Sequence, residues 1–128
     1  MRRIEALADA ILAYNGYKDV SSPLYSARNP GGLMAFSMKQ AQDGKGLRVF
    51  NSFIDGYQAL LFDLQLKCAG KSRAKLKPES ALTDLICSYG YKDTMADFVV
   101  RYCRRALNDE SLGRQVPISY FLEDDNNA

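Results

Sequence analysis

The sequence predicts a mainly helical domain, α+β in class, that carries one small β-prone lobe. Four segments place apolar residues at the i, i+3, i+4, i+7 spacing of a single helix face. Residues 15–51 break that period and are rich in Gly, Pro, Asn and Ser. The length, 128 residues, is that of one domain, and neither an internal repeat nor a linker divides residues 1–128.

The first helix is read from Ile4, Leu7, Ala8, Ile11 and Leu12, with Gly16 ending it because glycine takes the left-handed angle of a helix C-terminus. The second is read from Tyr57, Leu60, Leu61 and Leu64. Ser52 and Asp55 form its capping box, and Gly70 follows its end. In the third, Leu82, Leu85, Ile86 and Tyr89 make the stripe, Ser80 is the N-cap and Gly90 the stop. The fourth carries Met95, Phe98, Val99, Tyr102 and Cys103, with Thr94 as N-cap. Between the first two helices, the β-prone runs Leu33–Ser37 and Leu47–Phe50 flank the polar stretch Gln40–Gly46, which predicts a small hairpin. From about residue 123 the chain reads as a frayed acidic tail.

Composition removes several kinds of chemistry. There is no histidine, so the Ser-His-Asp triad, the Cys-His dyad and the commonest zinc sites are excluded. Cys68, Cys87 and Cys103 show no C-x-x-C spacing and read as buried or half-buried free thiols. Neither a metal nor another cofactor is expected. Lys and Arg total 17 against 15 Asp and Glu, too even a balance to imply nucleic acid or membrane as partner. No apolar run approaches the ~20 residues of a bilayer span. Glu5 and Asp9 interrupt the apolar stretch that a signal peptide would need after Met1-Arg2-Arg3. The expectation is a protein made in the cytoplasm without a signal peptide.

The informative stretch is Tyr14-Asn15-Gly16 followed by Arg28-Asn29-Pro30-Gly31-Gly32-Leu33. Proline presets φ, and the glycines admit left-handed angles and close approach of another backbone or a ligand. Further on stand Phe50-Asn51-Ser52-Phe53 and Gly56-Tyr57-Gln58-Ala59-Leu60, then Asp93-Thr94 before Phe98-Val99. In this order and spacing, over about residues 4–105, the chain resembles the small lysozyme-like domains of bacteriophage virion and cell-wall-degrading proteins. Those are muramidases and lytic transglycosylases. The resemblance implies a lysozyme-like helical domain with a β-hairpin lobe and a glycan cleft. It implies peptidoglycan glycan strands, and other virion proteins, as partners. Tyr14, Asn15, Tyr25, Arg28 and Asn29 would then line the cleft, aromatic faces packing on sugar rings and polar groups bonding hydroxyl and acetamido groups.

Two departures stand out. Gly32 replaces an asparagine of the family turn, and Asn15 stands where the family has the glutamate that protonates the glycosidic oxygen. An amide cannot donate that proton, and loss of a general acid costs roughly 10²–10⁴-fold in rate. The resemblance therefore implies a degenerate, virion-associated glycan binder. Two other readings stay open: a working enzyme using Asp19, in the loop at the cleft mouth, or a protein-binding module, such as a host-factor inhibitor, reusing the fold. Glu5 and Asp9 read as solvent-facing and Asp55 as a cap. Lys67, Lys71, Arg73, Lys75 and Lys77 read as a solvated loop, or else as a contact for anionic polymer; with no aromatic among them, nucleic acid gains little support.

Overall fold

The computed structural model describes residues 2–16, 19–35, 37, 39–89 and 93–123. Its first helix, α1 (Arg3–Tyr14), buries Ile4, Ala6, Leu7, Ala8, Ala10 and Ile11. Three alanines on that face let α1 lie close against its neighbours. These are α3 (Phe53–Cys68), α5 (Asp93–Ala106) and a C-terminal 3₁₀ turn, Ile118–Leu122. Leu60 and Leu64 of α3, Val99 and Cys103 of α5, and Ile118 and Phe121 of the turn close one continuous apolar cluster with α4 (Leu82–Cys87). The four predicted helices are present, and the chain is mainly helical.

Two elements escaped the apolar period because they are too short to show one. The four-residue α2 (Pro23–Ser26) starts at Ser22, whose Oγ accepts from Leu24 N at 3.2 Å, with proline at the first helical position. The 3₁₀ turn is held by residues 116–119 running beside 78–83, with Leu82 N donating to Val116 O at 2.9 Å and Ile118 N to Ser80 O at 2.9 Å.

Helix stops are better foreseen than starts. Gly16 and Gly70 both take positive φ, 63° and 72°, just beyond α1 and α3, and Ser52 Oγ accepts from Asp55 N at 3.1 Å. The start of α4 is Ala81 rather than Ser80, whose Oγ instead accepts from Lys77 N at 2.9 Å. Thr94 lies inside α5, which begins at Asp93. Asp9 does not face solvent: it accepts the Tyr57 hydroxyl at 2.6 Å and ties α1 to α3. Gly90 and the tail beyond residue 123 lie outside the described residues.

The β-prone runs meet, but as isolated bridges: Met34 with Leu47 and Gln42 with Arg48, both antiparallel. Residues 47–49 lie between 33–35 and 41–43, through Arg48 N to Leu33 O at 3.0 Å and Val49 N to Ala41 O at 2.8 Å. Asp43 Oδ1 accepts from Lys45 N and Leu47 N. A side chain thus takes backbone donors that a hairpin ladder would use. No regular strand forms among the described residues.

Cys68 and Cys103 have no exposure, and burial pushes each thiol up to about 12, whereas Cys87 is exposed rather than buried. Thiolate is the reactive form. An aromatic disulfide reagent added to native protein should therefore titrate one thiol quickly, and all three after unfolding. Two fast native thiols would contradict this packing.

Candidate functional site

Asn15 caps α1, its N–H donating to Ile11 O at 3.0 Å. Its side chain is half-buried, and Nδ2 donates to Pro30 O at 3.1 Å. The end of the first helix is thereby bonded to the Pro-Gly turn.

That turn is held from below by α3. A Cβ on Gly56 would stand 2.0 Å from Arg28 O, and one on Gly31 would stand 2.6 Å from Leu60 Cδ1. Both glycines exist to let the turn and the helix touch. The turn is held from above by Asn29, which has no exposure. Asn29 Nδ2 donates to Leu33 O and Arg48 O, each at 2.8 Å, and Oδ1 accepts from Leu33 N at 2.9 Å. Asn29 joins the turn to the lobe and has no atom left for a ligand, so it is not a cleft residue.

The other expected residues do not gather on one wall. Tyr14 turns toward α5, its hydroxyl 3.0 Å from Thr94 Oγ1 and its ring edge-on to Phe98. Tyr25 and Arg28 open instead onto a separate hollow of about 470 Å³, shared with Val20, Ser26 and Phe53. Arg28 follows α2 with φ 52°, a left-handed angle that costs a non-glycine residue roughly 1–2 kcal/mol.

Asp19 is exposed in the loop after α1. Its Oδ1 accepts from Ser21 Oγ at 2.7 Å and Ser21 N at 3.0 Å, and these bonds hold its carboxyl below the usual range. A general acid for glycoside cleavage needs the opposite shift. Asp19 is not built as a substitute acid.

Between the lobe and the helical body runs a groove of about 850 Å³, the scale of a ligand site. Gly32, Leu33, Met34 and Arg48 form the lobe side, and Ala59, Phe62, Asp63, Lys67 and Tyr89 the helical side. Asn15 adjoins it at Gly32: Nδ2 lies 4.0 Å from where a Cβ on Gly32 would stand. Gly32 takes φ 65°, a left-handed angle that suits glycine.

On the floor of the groove lie Asp63, to which sequence reasoning gave no role, and two residues that it assigned elsewhere. Lys67, placed in the basic loop, is 8% exposed and pairs with Asp63 Oδ2 at 2.9 Å, while Lys71, Arg73, Lys75 and Lys77 are exposed. Tyr89, placed in the core stripe of the third helix, donates its hydroxyl to the same Oδ2. Burial first, and then the Asp63 charge, push this phenol well above its ordinary value. The one signal available in the sequence was Asp63 and Lys67 four residues apart on a helix.

Among the described residues no three His, Cys, Asp or Glu side chains come together as a metal site, and no helix is long and apolar enough to cross a membrane. No protein-family model, no curated protein and no solved structure matches this chain.

Proposed function

We propose that the chain is a lysozyme-like domain of the kind carried by phage virions, one that binds peptidoglycan glycan strands in the groove between lobe and helices without cleaving them. The observation that supports this most is the place of Asn15. A half-buried amide ends the first helix, bonds the Pro-Gly turn and lies 4.0 Å from where a Cβ on Gly32 would stand, Gly32 lining a groove of about 850 Å³. On this reading residue 15 takes the place of the acid of an active relative, and its amide has no acidic proton to give.

Nor does the groove supply another acid. Its only carboxylate among the described residues is Asp63, which already accepts from Tyr89 and Lys67. Both bonds fall on one oxygen, Oδ2, so this carboxylate is engaged as the acceptor of the ion pair and of the Tyr89 hydroxyl. The walls suit binding: Met34 and Phe62 are 58% and 62% exposed, apolar surfaces on which the C–H faces of sugars pack.

The native protein should sediment with purified sacculi and leave their turbidity unchanged. Ala59→Trp, which fills the groove from α3, should weaken that sedimentation ~10-fold or more, a loss of about 1.4 kcal/mol. Clearing of sacculi by the native protein, or its failure to sediment with them, would sink the proposal.

A further inference from the structure

Helix α5 carries a charge pattern that its own dipole does not explain. Met95, Ala96, Val99, Val100 and Cys103 face the core. On the side left in solvent, Asp93, Asp97, Arg101 and Arg105 recur at every fourth position, two acids and then two bases, all exposed. Residues four apart form one ridge along a helix. Acids in the first turn and bases in the last answer the helix dipole, which accounts for Asp93 and Arg105. That effect fades within one turn of each end and does not reach Asp97 or Arg101. The other ordinary use of Asp97, four residues before Arg101, would be an ion pair within the helix. It is not made: Asp97 Oδ1 lies 3.8 Å from Arg114 Nε instead, and Arg101 and Arg105 form no ion pair with any described residue.

The ridge is self-complementary. Turned end for end about a two-fold axis at the level of Val99, a second α5 sets Asp97 opposite Arg101 and Asp93 opposite Arg105, each pair occurring twice. A parallel copy would set like charge on like. Ridges of this kind interlock when helices pack, and the neighbouring ridge supplies apolar surface: Phe98 and Tyr102 are half-buried, their rings stacked at 6.3 Å. Arg114 pairs with Asp93 at 2.8 Å, yet the Asp93 and Asp97 side chains stay 76% and 55% exposed, so each can still accept from a second guanidinium. No α5 residue lines the groove between lobe and helices, so the two surfaces are separate.

We infer that α5 docks antiparallel on the α5 of a second copy of this chain, Asp97 of each protomer pairing with Arg101 of the other and Asp93 with Arg105. Exposed ion pairs are individually weak, and one helix face makes a small interface. The dimer is therefore a transient one, made and broken by protein concentration and salt. It does not depend on what the groove binds.

Sedimentation velocity at ~0.1 mM protein, a concentration that registers even a weak dimer, tests this. In ~0.01 M salt, where exposed charges act over ~30 Å, the native chain should run largely as a dimer. In ~1 M salt, where that reach falls to ~3 Å, it should run as a monomer. Asp97→Arg and Arg101→Asp each set like charges opposite one another, and each should raise the dissociation constant at least ~10-fold. Mixed in equal amounts, the two variants should dimerise again. The new arginine of one then faces the new aspartate of the other, while the native Arg101 of the first faces the native Asp97 of the second. Circular dichroism checks that each variant keeps its helices; should one not fold, the salt dependence of the native chain and the remaining variant decide. A native chain that stays monomeric in low salt, a dimer that survives ~1 M salt, or variants that dimerise alone or fail to dimerise when mixed would overturn the inference.

Discussion

Gly56→Ala is expected to cost the fold at least ~4 kcal/mol, enough to unfold a domain whose whole stability is about 5–15 kcal/mol. The new methyl would stand 2.0 Å from the Arg28 carbonyl oxygen and 3.0 Å from Pro30 Cδ. Neither atom belongs to a flexible side-chain end. Relief requires the start of α3 to lift off the turn, and the contact of Leu60 with Gly31 is then lost as well. The sign makes the experiment sharp. On an open helix surface, alanine would stabilise relative to glycine by about 1 kcal/mol. Gly31→Ala provides the comparison, because the three atoms nearest its methyl all belong to the Leu60 side chain, Cδ1 at 2.6 Å, Cγ at 3.2 Å and Cβ at 3.3 Å, and none to the backbone. That variant should lose only ~1–3 kcal/mol, the usual cost of overpacking. Thermal and denaturant unfolding followed by circular dichroism would measure both. A neutral or stabilised Gly56→Ala protein would mean that the turn does not rest on α3.

The contrast between these glycines shows what was legible in the sequence. The apolar stripes of α1, α3 and α5 are long enough for the helical period to declare itself, and a glycine past the last turn carries its own conformational reason. Starts are harder to read. Ser80 and Thr94 are both good capping residues, yet Thr94 is already the second residue of α5, and Ser80 stands one position before the cap of α4 because its Oγ is taken by Lys77 N while Leu82 N bonds Val116 O.

The site follows the same division. Asn15-Gly16 and Asn29-Pro30-Gly31-Gly32 read locally as a helix end and a turn, and only the family resemblance set them at one cleft; the bond from Asn15 Nδ2 to Pro30 O comes from the fold. Nor was the use made of Asn29 legible. An asparagine offers the same three atoms to a sugar or to a backbone, and only the fold shows Leu33 and Arg48 within 2.9 Å of them. The groove floor was hidden for a different reason. Tyr89 sits at a core-stripe spacing and Lys67 at the edge of a basic run, so each had a sufficient ordinary explanation. Asp63 and Tyr89 are 26 positions apart, and nothing in a linear pattern pairs them. Tyr25 and Arg28 were misplaced because the short α2, which has no apolar period to read, carries Tyr25, and Arg28 follows it at a left-handed φ of 52°. They open onto the separate hollow beside Phe53.

On the proposed reading, Asn15→Glu should create glycan-cleaving activity, with sacculi clearing ~10²–10⁴-fold above that of the native protein. The reasoning begins with Pro30 O, which now accepts from Asn15 Nδ2 at 3.1 Å. A carboxylate facing that carbonyl oxygen is repelled, whereas a carboxylic acid can donate to it, and half-burial acts in the same direction. The pKa of a glutamate at this position is therefore raised, as a general acid requires. Because its folded value lies above its unfolded one, its stabilising contribution is fully present below about pH 4.3, the unfolded value, and is lost as pH rises through the folded one. Relative to the native protein, the variant should lose stability between about pH 4 and about pH 7, which unfolding curves at the two pH values would show whether or not catalysis appears. Clearing together with that pH dependence supports a cleft of lysozyme type. The pH dependence without clearing would mean that the acid is in place but no glycosidic oxygen reaches it, and the lysozyme-like reading fails. A variant whose stability tracks the native protein at both pH values would mean that residue 15 does not face Pro30.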